Sequence, residues 1–356
     1  MKKMGKKLSV IAIIFLLAAS PAFSQEIPKI DDLLKGVDDF SKGLANALPF
    51  NSTVGLNWSD AYIGQLLELP PHFGIGVTVG VTTMPIPALE SITGLIGMDD
   101  LPLDILGSIG FPIPAISAEA RIGGFFIPFD IGFKFGAVPK DILSNFVDMN
   151  SLPIEIDYQL IGFDFRYAIF NPKAMPIKVS VGIGFNYLRG GISAEVPMNL
   201  GYSFEAPSNL DNPDPNNMST YELKVKPPTA SLLWENKTLE AKAQVSFPLF
   251  IITPYAGIGI SYGWSSAGYD IKSGVTYKKD GNEQPLNNQI IGILEEQGMS
   301  GLTGNGFGSM VDVGGFNIRA FGGLSLNLFV IRIDVTAMYN FFSQSLGASL
   351  GLRFQL

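Results

Sequence analysis

From Phe316 onward the chain changes face at every residue, and this period of two restricts its architecture more than any other feature. Phe316, Ile318, Ala320, Gly322, Leu324, Leu326 and Leu328 fall on one side; Asn317, Arg319, Gly323, Ser325 and Asn327 fall on the other. Ile331, Ile333, Val335, Ala337, Tyr339 and Phe341 then alternate with Arg332, Asp334, Thr336 and Asn340. A last run sets Leu346, Ala348, Leu350, Leu352, Phe354 and Leu356 against Gly347, Ser349, Gly351, Arg353 and Gln355. Successive strand side chains point to opposite faces, so each run is a strand with one apolar face and one small or charged face. Upstream, the same pattern fills 73–81, 116–122, 127–135, 177–187, 239–249 and 256–264.

A soluble β-sandwich also alternates, with its apolar face inward. Three features favour lipid. The runs are about 11 residues, enough to cross a bilayer when tilted, whereas soluble strands average about 5 or 6. The polar face is Gly, Ser and isolated Arg or Asp, as in a barrel lumen. The chain also closes on an alternating strand with a hydrophobic final residue, Leu356, similar to the signal read by the outer-membrane barrel-assembly machinery. Strands in lipid must satisfy every backbone group, so they must close into a ring. The expected fold is all-β: a transmembrane antiparallel β-barrel with an N-terminal amphipathic helix. Short turns on the periplasmic side and long outer loops at 83–113, 137–153, 189–236 and 279–311 give ten spanning strands. If an outer hairpin within 189–236 and part of 50–66 join the wall, the count rises to 12 or 14.

The N-terminus sets the compartment. Lys2, Lys3, Lys6 and Lys7 precede an uncharged apolar run, 8–19, and Ala22-Phe23-Ser24 supplies small residues for cleavage before Gln25. Residues 1–24 read as a Sec signal peptide. The run is too short to span, covering about 18 Å against a hydrocarbon core of about 30 Å. The expected destination is the bacterial outer membrane. Without the leader lysines, 20 basic residues face 32 acidic ones, which argues against a nucleic-acid partner. With no Cys and one His, no thiolate or multi-His metal site is expected, and no cofactor. No motif isolates a nucleophile, so no catalytic residue and no enzyme activity are expected.

Two segments are not wall. Within 25–66, Ile30, Leu33, Leu34, Val37, Phe40, Leu44 and Leu48 recur at helical spacing, among Asp31, Asp32, Asp38 and Asp39. This amphipathic helix is expected to plug the lumen, through Phe40 and those aspartates; the alternatives are the membrane surface or the periplasm. Arg319, Arg332 and Arg353 line the lumen on three successive strands. Their partners are either the helix aspartates or wall acids such as Asp334. The 83–113 loop is unusually apolar for an outer loop. Leu89, Ile92, Leu95, Ile96, Leu101, Leu103 and Leu106 read either as a capture surface for a hydrophobic ligand or as a self-packed lid.

The order of a leader, the segment IDDLLKGVDDFSKGL, then NWSDAYIGQLLELPPHFGIGVTVGV, PYAGIGISYGWSSAGYDI and the final strands resembles an uncharacterised outer-membrane barrel family of spirochaetes and Bacteroidetes. Its members are regarded as similar to FadL-type long-chain fatty-acid transporters. That resemblance implies an N-terminal hatch at 27–66 and an outer ligand groove at 83–113. The Asn-Pro-Ala signature of such hatches is missing from 25–66; Asn171-Pro172 lies in a turn instead. The function expected is passive, plug-gated transport of a hydrophobic or amphiphilic small molecule such as a long-chain fatty acid. The alternatives are a diffusion porin for polar solutes and a structural or host-contact surface protein. Expected partners are outer-membrane lipids, the assembly machinery through the last strand, and the hydrophobic ligand.

Overall fold

The computed structural model describes residues 28–68, 71–85, 110–137, 154–172, 174–195, 200–207, 218–225, 229–272, 275–284, 291 and 307–356. A helix, α1 (Pro28–Ser52), precedes β1 (Phe73–Met84), β2 (Phe111–Gly123), β3 (Phe129–Ala137), β4 (Ile154–Phe170) and β5 (Lys178–Glu195). Then come β6 (Leu200–Pro207), β7 (Met218–Val225), β8 (Thr229–Ser246), β9 (Ile252–Lys272), β10 (Val275–Lys279) and β11 (Asn282–Gln284). The chain ends with β12 (Phe307–Leu328), β13 (Ile331–Asn340) and β14 (Ser345–Gln355).

Ten strands form a closed antiparallel barrel in the order β1-β14-β13-β12-β9-β8-β5-β4-β3-β2. The ring closes where β1 pairs with β14, from Gly74↔Gln355 to Thr82↔Gly347. The larger counts of 12 and 14 are not adopted. The β6–β7 hairpin pairs with β10 in a separate four-stranded sheet, β11-β10-β7-β6, and residues 53–66 form no strand.

The period of two resolves into two environments. Along β14 every second residue is buried and its neighbours are exposed: Leu346, Leu350, Leu352 and Phe354 point out, and Arg353 and Gln355 point in. Val77, Ile131, Phe163, Ile183, Leu239, Ile258 and Val335 extend the outward apolar band around the ring. Such a continuous apolar surface belongs in hydrocarbon, and closure leaves no unpaired edge along the belt. The chain is a transmembrane β-barrel of the bacterial outer membrane, crossing with strands; among the described residues no helix is long and apolar enough to cross.

The wall is uneven in height. On one side β4, β5, β8, β9 and β12 have 17, 18, 18, 21 and 22 residues. On the other, β13, β14 and β1 have 10, 11 and 12. The periplasmic turns are short all round, so the excess rises on the outer side, by roughly 15 Å at β4 to roughly 25–30 Å at β9 and β12, at about 3.3 Å per residue and a 35–45° tilt. The outer sheet extends this tall side, and parts of 189–236 and 279–311 are accordingly wall and outer sheet.

Replacing Leu350 by Arg is expected to cost about 2–4 kcal/mol of stability in lipid. Thr220→Arg, exposed on the outer sheet, should stay within roughly 0.5 kcal/mol. Equilibrium denaturant titration in vesicles measures both, and equal costs would contradict the belt assignment.

Candidate functional site

The lumen is occupied by the chain's own N-terminal segment. Pro28 starts α1 at a position that needs no amide donor, and the helix runs to Ser52. Its apolar side, Val37, Leu44, Ala45 and Leu48, packs on Tyr158, Leu160, Leu188, Leu232 and Tyr269, which line the inside of the tall wall. Phe40 meets Phe111 edge to face at 6.0 Å. Lower down, Phe50 and Val54 pack with Tyr255, Phe321 and Met338. The helix ends where Ser52 and Thr53 turn their hydroxyls back onto the carbonyls of Pro49 and Phe50. Gly55 then takes φ +87°, and a Cβ there would lie 2.6 Å from Ser117 Oγ and 2.7 Å from Glu119 Oε1. Only glycine lets the chain turn this close to the wall.

Beyond the helix, residues 52–62 are held mainly through their backbone carbonyls. Lys134 Nζ donates to Ser52 O and Val54 O, both at 2.7 Å. Lys242 Nζ and an Arg121 Nη donate to Leu56 O at 3.2 and 3.4 Å. Gln244 Nε2 donates to Trp58 O at 2.7 Å and Ser59 O at 3.2 Å. Arg166 donates to Asp60 O at 2.8 Å, and Lys178 to Tyr62 O at 3.0 Å. A non-regular segment has no internal partners for these carbonyls, so the wall provides them. The amides of Ala61 and Ile63 donate to Ser246 Oγ and Asp130 Oδ2, at 2.9 and 3.3 Å.

Three of these cations, Arg121, Arg166 and Lys242, are also tied to wall carboxylates. Arg121 bonds Asp130 and Asp164, Arg166 bonds Asp130, and Lys242 bonds Asp164 at 2.8 Å. Arg319 bonds Glu240 at 2.6 Å and donates to Asn57 Oδ1 at 3.0 Å. All these groups are buried, and charges out of water persist only when paired. The lumen-facing glycines make the room: a Cβ on Gly132 would meet Asp164 at 2.4 Å.

Two plug side chains lock into this frame. Trp58 donates to Glu119 at 2.6 Å and lies under two guanidinium groups, Arg353 at 4.6 Å and Arg121 at 5.5 Å from the ring centre. Asp60 accepts from Arg353 at 3.0 Å and Gln355 at 3.1 Å, with Arg332 at 3.3 Å. Burial disfavours its charge, but Arg332, Arg353 and Lys178 hold the carboxyl below its ordinary range.

Above the lock lies a partly open cavity of about 700 Å³ between α1 and the wall. Lys42, Asn46 and Pro49 of the helix border it, as do Gly315, Phe316, Asn317, Pro85, Phe342 and Ser343. Phe316 faces lipid and Asn317 faces the lumen, yet both line this cavity. The reason is the height difference: β13 pairs with β12 only as far as Asn340↔Arg319. Above that level, among the described residues, β12 has its β9 partner alone. The cavity therefore rounds the free edge of β12, over the tip of the short β13–β14 hairpin.

The sequence-derived candidates distribute as follows. Arg319, Arg332, Asp334 and Arg353 face the lumen, and Arg353 also reaches Asp334 at 3.3 Å. Their plug partners among the described residues are Asp60 and Asn57, and neither Asp38 nor Asp39 pairs with them. Asp38 is half-buried, Asp39 is exposed at the cavity, and Phe40 packs against the wall. The side chains of Asp31 and Asp32 lie outside the described residues, as do Leu89, Ile92, Leu95, Ile96, Leu101, Leu103 and Leu106. Asp60, Trp58 and the Lys134–Arg166–Lys242 group were not singled out by sequence. Their signal was present: Arg121, Lys134, Arg166 and Lys242 all sit at lumen parity.

No family model and no curated protein matches the chain. Among solved structures, it is similar to Ail, the attachment invasion locus protein of Yersinia pestis, at 9% identity over 80% of this chain and 99% of that one, with a TM-score of 0.25. The transport unit of the autotransporter AIDA-I from Escherichia coli gives 6% identity over 89% and 99%, with a TM-score of 0.23. The toluene transporter TbuX of Ralstonia pickettii gives 10% over 80% and 89%, with a TM-score of 0.21. The outer-membrane assignment rests on the closed ring and its belt.

Asp60→Asn removes the plug's charge from Arg353 and Arg332, of which Arg353 keeps Asp334, and is expected to loosen the plug by about 1.5–3 kcal/mol. Amide exchange across 56–63 should rise accordingly; unchanged protection would contradict the lock. Because the docked carboxyl titrates below its ordinary value, its contribution is complete at neutral pH. It fades progressively below about pH 5, as pH falls through the undocked and then the docked value. Plug protection that weakens on raising the pH from 5 to 8 would give Asp60 the wrong sign.

Proposed function

We propose that this barrel carries a hydrophobic or amphiphilic small molecule, such as a long-chain fatty acid, passively across the outer membrane, with no catalytic step. The supporting observation is the cavity at the free edge of β12. Its size falls within the roughly 300–1,000 Å³ of small-molecule sites. It adjoins both the lumen and the outer edge of the lipid belt, a position suited to a molecule that partitions between water and membrane. Lys42 at its border suits an anionic head group, and Phe316 and Phe342 suit an acyl tail. On this reading capture on the apolar segment of Leu89, Ile92, Leu95, Ile96, Leu101, Leu103 and Leu106 precedes entry.

Residues 50–63 fill the lumen beneath the cavity, which favours gated passage over an open porin. On this reading release of the plug is the gating step, and the Asp60 lock sets its cost. We assign β14, which closes the ring against β1, as the segment presented to the barrel-assembly machinery.

The test is uptake of radiolabelled long-chain fatty acid by a host lacking its own transporter. Gly315 has open space where a Cβ would project, so Gly315→Trp should obstruct the cavity without disturbing the ladder. Uptake above the empty-vector level by the native chain, reduced severalfold by Gly315→Trp, is the expected result. Uptake at the vector level, or permeation by polar solutes instead, would sink the proposal.

A further inference from the structure

The lower plug is held between two unlike walls. On one side stand β3, β4, β5 and β8, and their side chains take the plug's main-chain oxygens in chain order. Lys134 takes Ser52 O and Val54 O, and Lys242 takes Leu56 O. Gln244 takes Trp58 O and Ser59 O, Arg166 takes Asp60 O, and Lys178 takes Tyr62 O. These donors form a ladder that descends the lumen. Across the ring stand β1 and β14, where the wall is cut back to glycine. Phe50, Val54 and Trp58, four residues apart, lie on Gly347, Gly80 and Gly74. A Cβ added at those glycines would come within 3.3, 2.9 and 2.8 Å of the three side chains.

Neither wall requires a polypeptide as its partner. A carbonyl oxygen offers a cation only a partial charge; a carboxylate offers a full one, and the charge-assisted bond is shorter and stronger. Lys134 is buried, and its hydrogen bonds among the described residues go to two neutral oxygens. The ladder also has unused capacity: Gln244 Oε1 and Arg121 Nε are buried without a hydrogen-bond partner among the described residues. Opposite, the glycine side accepts the apolar side chains of Phe50 and Val54, and methylene groups have the same chemistry.

We propose that the lower lumen is itself a binding site for a single-chain carboxylate amphiphile, with its head on the donor ladder and its chain along the glycine side, and that residues 50–62 occupy this site as an internal stand-in. The choice of cargo rests on the transport reading. Ligand and plug then compete for the same donors. The plug's oxygens belong to one chain and bind together, so the plug holds the site at rest. As it yields, the carboxylate passes from Lys134 to Lys242 and on to Lys178, the last rung before the periplasmic turns. The passage therefore runs down the lumen, with the cavity at the edge of β12 as its entrance.

Competition is read by amide exchange across 52–63 in the full-length protein in phospholipid vesicles, as oleate is added. A ligand that binds only the vacated site raises exchange in proportion to one plus its concentration over its Kd. The concentration that doubles exchange therefore reports affinity for the vacated lumen, whatever the stability of the plug. Oleate is expected to accelerate exchange, and oleyl alcohol and oleylamine to leave it unchanged. Asp60→Asn should raise exchange at least about tenfold before oleate is added and keep the native doubling concentration. Lys134→Met should raise the doubling concentration severalfold, and Lys242→Met repeats that test one rung lower. Unchanged exchange with oleate, slower exchange, or acceleration by the alcohol equal to that by oleate would overturn the proposal. So would a native doubling concentration in both lysine variants. Uptake without oleate-driven exchange would overturn this site and leave the transport reading standing; oleate-driven exchange without uptake would do the reverse.

Discussion

A backbone carbonyl inside a membrane barrel must find a donor, and the segment 52–62 places a run of them there. Everything in the lower lumen follows from that requirement. Lys134, Arg166, Lys178 and Lys242 aim their nitrogens at those carbonyls, and Arg121 and Gln244 complete the set. Arg121, Arg166 and Lys242 in turn pair with Asp130 and Asp164 on the wall, and Glu240 pairs with Arg319. Removing the plug therefore leaves donors without acceptors, and removing a cation leaves carbonyls without donors. Asp60 adds a full negative charge from the plug to Arg332 and Arg353. The cations named here outnumber the carboxylates, as expected where the remaining acceptors are neutral carbonyls.

The upper half follows a different rule. Above the charged frame the inner wall turns apolar, and α1 buries its apolar face against it. The helix leans on the tall side, built by the long strands β4 to β12, and away from the short hairpin. That leaves a space that is neither core nor bulk solvent. Its position comes from strand length alone: β12 continues to Phe307 on the outer side, while β13 stops at Asn340. A barrel of equal strands would have no such free edge.

The barrel was legible because lipid and lumen impose opposite chemistry on alternate residues. In β14 the parity of Leu350 and Arg353 is enough to place both. The ten-strand register was legible too, since short turns such as 329–330 contrast with long outer connections. The helix could be read from the spacing of Val37, Phe40, Leu44 and Leu48. Its charge partners could not. Asp38 and Asp39 drew attention as part of an acidic cluster, but among the described plug residues Asp60, in a stretch without periodicity, pairs with Arg332 and Arg353. The carbonyl contacts were out of reach because a backbone oxygen carries no side-chain identity. The unequal wall was hidden for a related reason: once a strand rises above the belt, its outer face turns polar while its inner face packs on α1, so the alternation set by lipid and lumen no longer holds, as around 189–195 and 229–236.

The central claim is that residues 50–63 close the pore and that the wall cations hold them there. Single-channel conductance in planar bilayers tests it most directly, comparing the full-length protein with a variant lacking residues 28–63. Every wall ladder pair is strand to strand, so the ring survives that deletion. The account predicts a closed full-length barrel and a steadily conducting, anion-preferring channel once the plug is gone, because the exposed lumen cations then face the water. An open channel of the same conductance in both proteins would contradict it.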